Sequence, residues 1–247
     1  MITFRDVWFW HEQRLIIKGA NFTINTNEKV AILGPSGSGK TTILKLILGL
    51  SVADSGQVLI DGEDLAPLKE SKLDRIRLKF SIVFQEGALF DSLSVRENVA
   101  FYFREHTGLS FEQIDLQVNK LLKIVDLQSA AEMMPEQLSG GMKRRVAIAR
   151  SLAVSGARMH LYDEPTSGLD PVNAGIIRNL ISEATSGGKG FIIVTHEVFD
   201  ALALASRFMF LKSGQILFDG NREAFLHSEV SELQEFLNPY RYLLDKL

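Results

Sequence analysis

The chain has 247 residues, a size that predicts one large α/β domain or a core with one subdomain. Its net charge of −3 argues against a general nucleic-acid or anionic-membrane surface, so no nucleic-acid partner is expected. The absence of cysteine excludes disulfides, thiolate metal sites and cysteine nucleophiles. Charged residues such as Lys45 and Arg207 interrupt the longest apolar runs, and we expect neither a membrane-spanning helix nor a secretory signal.

Short strands are predicted before residue 34. Apolar or alternating runs at 2–4, 14–17, 20–24 and 30–33 have the pattern of β-strands. An aromatic cluster at 8–11 lies among them. Its rings either pack in the core, as aromatic residues in strands usually do, or present a flat face to a ligand.

A glycine-rich turn joins the last of these strands to a helix predicted at 41–50. The turn consists of Gly34, Pro35, Ser36, Gly37, Ser38, Gly39, Lys40 and Thr41, and Thr42 follows it. Glycines let the backbone wrap around an anion, because residues without a Cβ adopt the needed dihedral angles cheaply. The amides and the helix dipole attract phosphate oxygens, Lys40 adds a charge for the β- and γ-phosphates, and Thr41 offers Mg²⁺ a hydroxyl. The pattern therefore predicts a site for a nucleoside triphosphate and Mg²⁺ rather than a chance turn.

The segment that follows is predicted to add two strands. Residues 55–62 form a short strand that we expect to complete a small antiparallel sheet. Residues 78–84 form another strand, which brings Gln85 to the carboxyl end of the main sheet, where ligands bind in open α/β folds. The amide of Gln85 either contacts Mg²⁺ and the attacking water there or only begins a loop.

Residues 86–155 are predicted to form a helical insertion in the core. Capping boxes at 94–97 and 110–113 each begin a run with apolar residues at helical spacing. The loop at 87–93 carries apolar residues of an exposed type. It is either a satellite core or a docking surface for another chain.

A second glycine-bearing turn begins the arginine-rich helix of this insertion. The turn consists of Ser139, Gly140, Gly141 and Met142. Ser139 alone is typical of a helix N-cap, and the arginines are typical of a solvated face. In a chain that also has a phosphate loop, we interpret the turn as a second anion site, built from free amides, a hydroxyl and the positive end of a helix.

Two carboxylates end the strand predicted at 159–164. The side chains of adjacent strand residues point to opposite sides, so Asp163 and Glu164 are expected to have different roles. Asp163 is the candidate ligand of Mg²⁺, and Glu164 is the candidate that polarises the attacking water.

The remaining core elements lead to His196. Asp170 before a proline predicts the start of a helix at 171–185. A strand at 191–195 then presents His196 at the same sheet edge as Gln85, where an imidazole can contact the γ-phosphate.

The chain ends with a hairpin predicted at 207–220 and a tail at 221–247. The tail has helical patches with apolar residues on one face. It packs either on its own domain or on a second subunit.

Taken in order, these motifs resemble those of the ATP-binding cassette (ABC) ATPases from nearly the first residue to about residue 220. The resemblance implies an α/β P-loop NTPase core with a small antiparallel β-subdomain and an inserted α-helical subdomain. Residues 1–220 would be the nucleotide-binding domain, with the insertion at about 86–155, and residues 221–247 a C-terminal helical tail.

The resemblance also implies roles for individual residues. Gln85 would sense Mg²⁺, Asp163 would hold it, Glu164 would be the general base, and His196 would hold the γ-phosphate of ATP. Asp170 would lie at a dimer contact.

In this family, the turn at 139–142 completes the ATP site of a second copy, which implies a dimer with two sandwiched nucleotides. Met142 departs from the family, which usually has glutamine there. The family's register places His11 at the position that stacks on adenine, with Trp10 one residue away, and it stays open whether either residue stacks.

A closer resemblance is to the MlaF-type ATPases of Mce-linked lipid transporters. It rests on the stretches 83–91, 99–101 and 104–106 and on the Ser-Gly-Gly-Met turn. It implies an ATPase that powers transport of phospholipids or related lipids between the membranes of the bacterial envelope, at the cytoplasmic face of the inner membrane. The implied partners are a permease docked at 87–104, an Mce substrate-binding protein and often a STAS-domain protein. The alternatives are the ATPase of another ABC importer or exporter and a soluble ABC ATPase acting on ribosomes or DNA.

Overall fold

The computed structural model describes residues 1–244, which form two β-sheets surrounded by helices. The four-stranded antiparallel sheet has the order β2-β1-β4-β5, and the six-stranded sheet has the order β10-β9-β3-β8-β7-β6. The strands are β1 (Ile2–His11), β2 (Arg14–Ile24), β3 (Lys29–Leu33), β4 (Ser55–Ile60), β5 (Glu63–Asp64), β6 (Phe80–Val83), β7 (Met159–Asp163), β8 (Gly190–Thr195), β9 (Arg207–Lys212) and β10 (Gln215–Asn221). The helices are α1 (Lys40–Ile47), α2 (Glu70–Arg77), α3 (Val95–His106), α4 (Phe111–Ile124), α5 (Gly140–Leu152), α6 (Pro171–Ala184), α7 (Val198–Leu204), α8 (Arg222–Leu226), α9 (Ser231–Leu237) and α10 (Arg241–Leu244).

The parallel strands of the six-stranded sheet place four loops at one edge. β3 pairs in parallel with β8 and β9, and β7 pairs in parallel with β6 and β8. These strands are largely apolar because both faces of the sheet are covered; β8, for example, is buried along its whole length. The loops after β3, β6, β7 and β8 therefore meet at the carboxyl edge of the sheet.

The antiparallel sheet confirms the strand predicted at 55–62 but corrects the strands predicted before it. β1 extends to His11 and β2 runs unbroken from Arg14 to Ile24, where the sequence indicated three short strands. Irregular register between Phe4 and Trp10 interrupts the alternation of buried and exposed side chains. The periodicity that marks a strand is lost there although the backbone stays paired.

The predicted helical insertion contains α3, α4 and α5. Both capping boxes are present, with Ser94 and Glu97 at the start of α3 and Ser110 and Gln113 at the start of α4. The short helices α2 and α7 were not predicted from the sequence. Among the described residues, no helix has the length and apolar character needed to cross a membrane.

The tail packs on its own domain over its described part. Leu233 and Leu237 of α9 are buried in the same core cluster as Phe225 of α8. The ring of Phe236 lies 5.2 Å from that of Phe210 on β9. The predicted tail also includes residues 245–247, which lie outside the described residues.

The core contains a histidine that resists protonation. His160 on β7 is buried, and its Nδ1 lies 2.6 Å from the hydroxyl oxygen of Ser81 on β6. Burial, with a smaller contribution from the charge of Lys189, lowers the pKa of His160 from 6.5 to about 4. The folded protein therefore keeps this imidazole neutral at pH values where the unfolded chain protonates it.

We expect His160 to make folding stability depend on pH. The folded-state pKa is the lower one, so its contribution is complete above the unfolded value of about 6.5 and is lost as the pH falls toward 4. Between pH 7 and pH 5, the free energy of unfolding of the wild type should fall by about 2 kcal/mol relative to His160→Gln. Urea denaturation at both pH values measures this difference. His106→Gln, which changes an exposed histidine, is the control. Its free energy of unfolding should fall between the two pH values as much as that of the wild type.

Candidate functional site

The loop between β3 and α1 needs glycine at specific positions. A Cβ at Gly34 would lie 2.0 Å from the carbonyl oxygen of Leu211, and one at Gly39 would lie 2.9 Å from Cδ1 of Ile17. Gly39 also has a φ of 107°, which side chains disfavour. The backbone can therefore curve tightly against β2 and β9 and leave the first turn of α1 facing a cavity.

This cavity has a volume of about 350 Å³ and lies at the carboxyl edge of the six-stranded sheet. It gathers residues predicted from four separate segments of the sequence. Its lining residues are Arg14, Ile16, Ser36, Gly37, Gly39, Lys40, Thr41, Thr42, Gln85, Glu164, Ser167 and His196.

Lys40 places a buried ammonium at the cavity. Its Nζ donates hydrogen bonds to the carbonyl oxygens of Gly34 at 2.8 Å and Pro35 at 3.2 Å. The same atom lies 3.3 Å from Oε1 of Glu164, and both side chains are almost fully buried. The positive charge of Lys40 is thus compensated by Glu164. An anion that enters the cavity can replace Glu164 as the partner of this charge.

Glu164 contacts a different set of atoms from its neighbour Asp163. Oε2 of Glu164 accepts a hydrogen bond from the backbone N–H of His196 at 3.3 Å and lies 2.9 Å from Nδ1 of the same residue. Glu164 has a φ of 47°, and its backbone N–H donates to the carbonyl oxygen of Val194 on β8. The carboxylate is therefore held between Lys40 and the histidine.

Asp163 and Thr41 form a pair that fits a magnesium ion. The hydroxyl of Thr41 donates to Oδ1 of Asp163 at 2.9 Å. Burial raises the pKa of Asp163, the hydrogen bond from Thr41 lowers it, and the nearby charge of Glu164 raises it further. Residues 1–244 contain no cluster of three or more acidic, histidine or cysteine side chains suited to a metal. A single carboxylate with a hydroxyl still suits Mg²⁺, which commonly takes its other ligands from water and substrate phosphates.

The predicted second anion site lies at a different cavity. The hydroxyl of Ser139 accepts a hydrogen bond from the backbone N–H of Met142 at 3.3 Å and caps α5. Gly140 lines a neighbouring cavity of about 500 Å³, which shares only Ser167 with the first among the lining residues. None of the residues 139–142 lines the phosphate-loop cavity of the same chain.

The structure leaves several predicted contacts outside the cavity. His11 is exposed at the end of β1 and lines neither cavity. The ring of Trp10 faces that of Trp8 at 6.2 Å, and its backbone N–H donates to Asp54. Stacking on a base, which the sequence left open for both residues, gains no support from this arrangement. Gly34, Pro35 and Ser38 belong to the loop but lie outside the lining, and the hydroxyl of Ser38 is buried without a partner among the described residues.

Thr166, Arg178 and Asp200 form a buried cluster that was not predicted from the sequence. The hydroxyl of Thr166 donates to one carboxylate oxygen of Asp200 on α7. The other oxygen of Asp200 accepts from Nη1 of Arg178 on α6 at 2.5 Å. The cluster ties the segment after β7 to the helix that follows His196.

The sequence of this chain is similar to those of known ATP-binding proteins. A model of the ABC transporter family matches residues 17–167. The intermembrane phospholipid transport system ATP-binding protein MlaF of Escherichia coli (strain K12) is 37% identical over 250 residues, which cover 98% of this chain and 93% of MlaF. The glutamine transport ATP-binding protein GlnQ of the same organism is 38% identical over 240 residues, or 96% of this chain and 98% of GlnQ.

A solved structure gives the same result for the fold. The dimeric, post-hydrolysis structure of the ATP-binding cassette MJ0796 bound to ADP and Pi has a TM-score of 0.82 and 33% identity, covering 90% of this chain and 98% of that one. The predicted fold class and the predicted resemblance to MlaF-type ATPases are confirmed.

We expect Asp200→Ala to destabilise the protein by about 2 kcal/mol, because it leaves the hydroxyl of Thr166 and the charge of Arg178 without their shared acceptor. Asp115→Ala provides the control. Asp115 is a half-exposed partner of Arg96, and its loss should cost less than about 1 kcal/mol. Urea denaturation of both variants makes the comparison, and equal losses would contradict a structural role for the buried cluster.

Proposed function

Because this chain belongs to the ABC transporter family of ATP-hydrolysing proteins, we propose that its ATPase activity powers lipid transport through a separate membrane permease. The expected substrate is a phospholipid or a related lipid moved between membranes of the bacterial envelope. The observation that carries this proposal is the 37% identity to the phospholipid transport protein MlaF across 98% of the chain. We assign residues 1–220 to the nucleotide-binding domain and residues 221–247 to the tail.

Glu164 is proposed as the general base. Its carboxylate lies at the cavity, where it can accept a proton from the water that attacks the γ-phosphorus of ATP. His196, 2.9 Å from this carboxylate, orients it and contacts the γ-phosphate. The buried ammonium of Lys40 exchanges Glu164 for phosphate oxygens when ATP binds, which frees the carboxylate for the water.

Thr41, Asp163 and Gln85 are the proposed magnesium residues. Thr41 is hydrogen-bonded to Asp163, and Gln85 lines the same cavity as Thr41. Bound Mg²⁺ would neutralise charge on the phosphates during hydrolysis.

Two copies of the chain are proposed to enclose two nucleotides. The turn at 139–142 lies away from the phosphate loop of its own chain but has the hydroxyl, free amides and helix end of an anion site. In a two-fold dimer, this turn faces the phosphate loop of the second copy. ATP binds the closed dimer more tightly and so favours it, and loss of the γ-phosphate releases it.

The permease is proposed to dock on the apolar surface at 87–104. Phe90 and Phe101 are both partly exposed, and the centroids of their rings lie 4.6 Å apart. Through the permease, the chain would lie at the cytoplasmic face of the inner membrane. An Mce substrate-binding protein and a STAS-domain protein are the proposed further partners.

A second candidate function is the ATPase subunit of another ABC importer, and the 38% identity to the glutamine transport protein GlnQ supports it. The nucleotide chemistry is the same in both cases. The difference lies in the substrate that the permease complex carries.

We expect Glu164→Gln to lower ATP turnover at least a hundredfold, because an amide cannot accept the proton of the attacking water. ATP binding should persist, and a stable ATP-bound dimer should form. Phosphate release and size-exclusion chromatography with ATP measure the two effects. Glu183→Gln, on the exposed face of α6, serves as the control. Normal turnover by Glu164→Gln would rule out its role as the base.

The transported substrate can be identified from the purified complex. We expect the chain, isolated in detergent with its membrane partners, to carry phospholipid detectable by mass spectrometry, and ATP to change the amount retained. The complex with Glu164→Gln should retain lipid without releasing it under turnover conditions. A complex whose ATPase rate responds to an amino acid and that retains no lipid would support the second candidate function instead.

A further inference from the structure

The phosphate-loop cavity has two ends, and they come from different sheets. Gln85, Glu164 and His196 follow strands of the six-stranded sheet, whereas Arg14 and Ile16 belong to β2 of the antiparallel sheet. If Glu164 acts on the terminal phosphate, the rest of the nucleotide must extend toward β2. This step rests on the proposed ATPase function.

The groove continues beyond the first cavity on the β2 side. A second space of about 230 Å³ adjoins it and shares Arg14, Ile16 and Gly37 with it. The turn between β9 and β10 closes this space, since the backbone N–H of Gly214 donates to the carbonyl oxygen of Ser38 at 3.2 Å. The nucleoside therefore has a defined place to enter, between β2, the phosphate loop and this turn.

No phenylalanine, tyrosine or tryptophan lines either of these spaces within the described chain. Arg14 offers the planar group there instead. Its side chain is exposed, and no ion pair or side-chain hydrogen bond joins it to another described residue. His11 is its direct partner in the β1–β2 register, yet Arg14 lines both spaces and His11 lines neither.

We propose that the guanidinium of Arg14 stacks on the base of the bound nucleotide, against the apolar side chain of Ile16. A guanidinium plane stacks on aromatic faces and is weakly hydrated, so it replaces a ring in this role. Every base has a π-face, and stacking alone reads no hydrogen-bonding edge. Arg14 therefore strengthens the binding of purine nucleotides with little preference between adenine and guanine.

The test measures binding of ADP, GDP and pyrophosphate to the full chain by calorimetry, which avoids hydrolysis. Arg14→Ala should weaken the binding of ADP and GDP about tenfold and leave the binding of pyrophosphate unchanged. Arg14→Tyr should restore ADP binding because it supplies a plane without a charge, whereas Arg14→Lys should not. Arg5→Ala removes an exposed arginine on β1, away from both spaces, and should bind like the wild type.

Three results would overturn the proposal. The first is unchanged ADP affinity in Arg14→Ala. The second is an equal loss of affinity for ADP and for pyrophosphate in Arg14→Ala, with both restored by Arg14→Lys. The third is a larger loss of ADP affinity in His11→Ala than in Arg14→Ala. Lys40→Ala separates this outcome from a failure of the proposed ATPase site, because it should weaken both ADP and pyrophosphate. A wild-type chain that binds neither ligand would contradict the ATPase site itself.

Discussion

The buried ammonium of Lys40 is the interaction on which the rest of the site depends. A buried charge must be compensated, and here two loop carbonyls and the carboxylate of Glu164 surround it. The phosphate loop and the end of β7 are therefore held together before any nucleotide enters. An arriving phosphate would compete with Glu164 for this cation. In the proposed mechanism, binding of the substrate would therefore also release the proposed general base.

The sequence predicted the sheet edge well because its signals are local. Continuous apolar runs mark buried parallel strands, and the polar residue after each run falls at the carboxyl edge, which placed Gln85, Glu164 and His196 correctly at one cavity. The caps at Ser94, Ser110 and Asp170 also depend on residues only two or three positions apart, and all three are present.

Other features could not be predicted because they join distant parts of the chain. Asp200 contacts Thr166 and Arg178, which are 34 and 22 positions away, and no spacing rule links them. The irregular pairing of β1 with β2 hid the length of both strands. The family's register pointed to His11 in this hairpin, whereas the residue that lines the cavity is Arg14.

The segment after β6 connects the phosphate-loop cavity to the proposed docking surface. Gln85 lines the phosphate-loop cavity, and a few residues later Phe90 contributes to the exposed apolar surface. The two arginines Arg144 and Arg150 of α5 hold the backbone between them, through the carbonyl oxygens of residues 84, 87 and 88. The glycine turn that begins α5 is the part proposed to meet the second copy's nucleotide. In the proposed dimer, closure would act on α5 and this segment together and would link the proposed permease surface to both nucleotides.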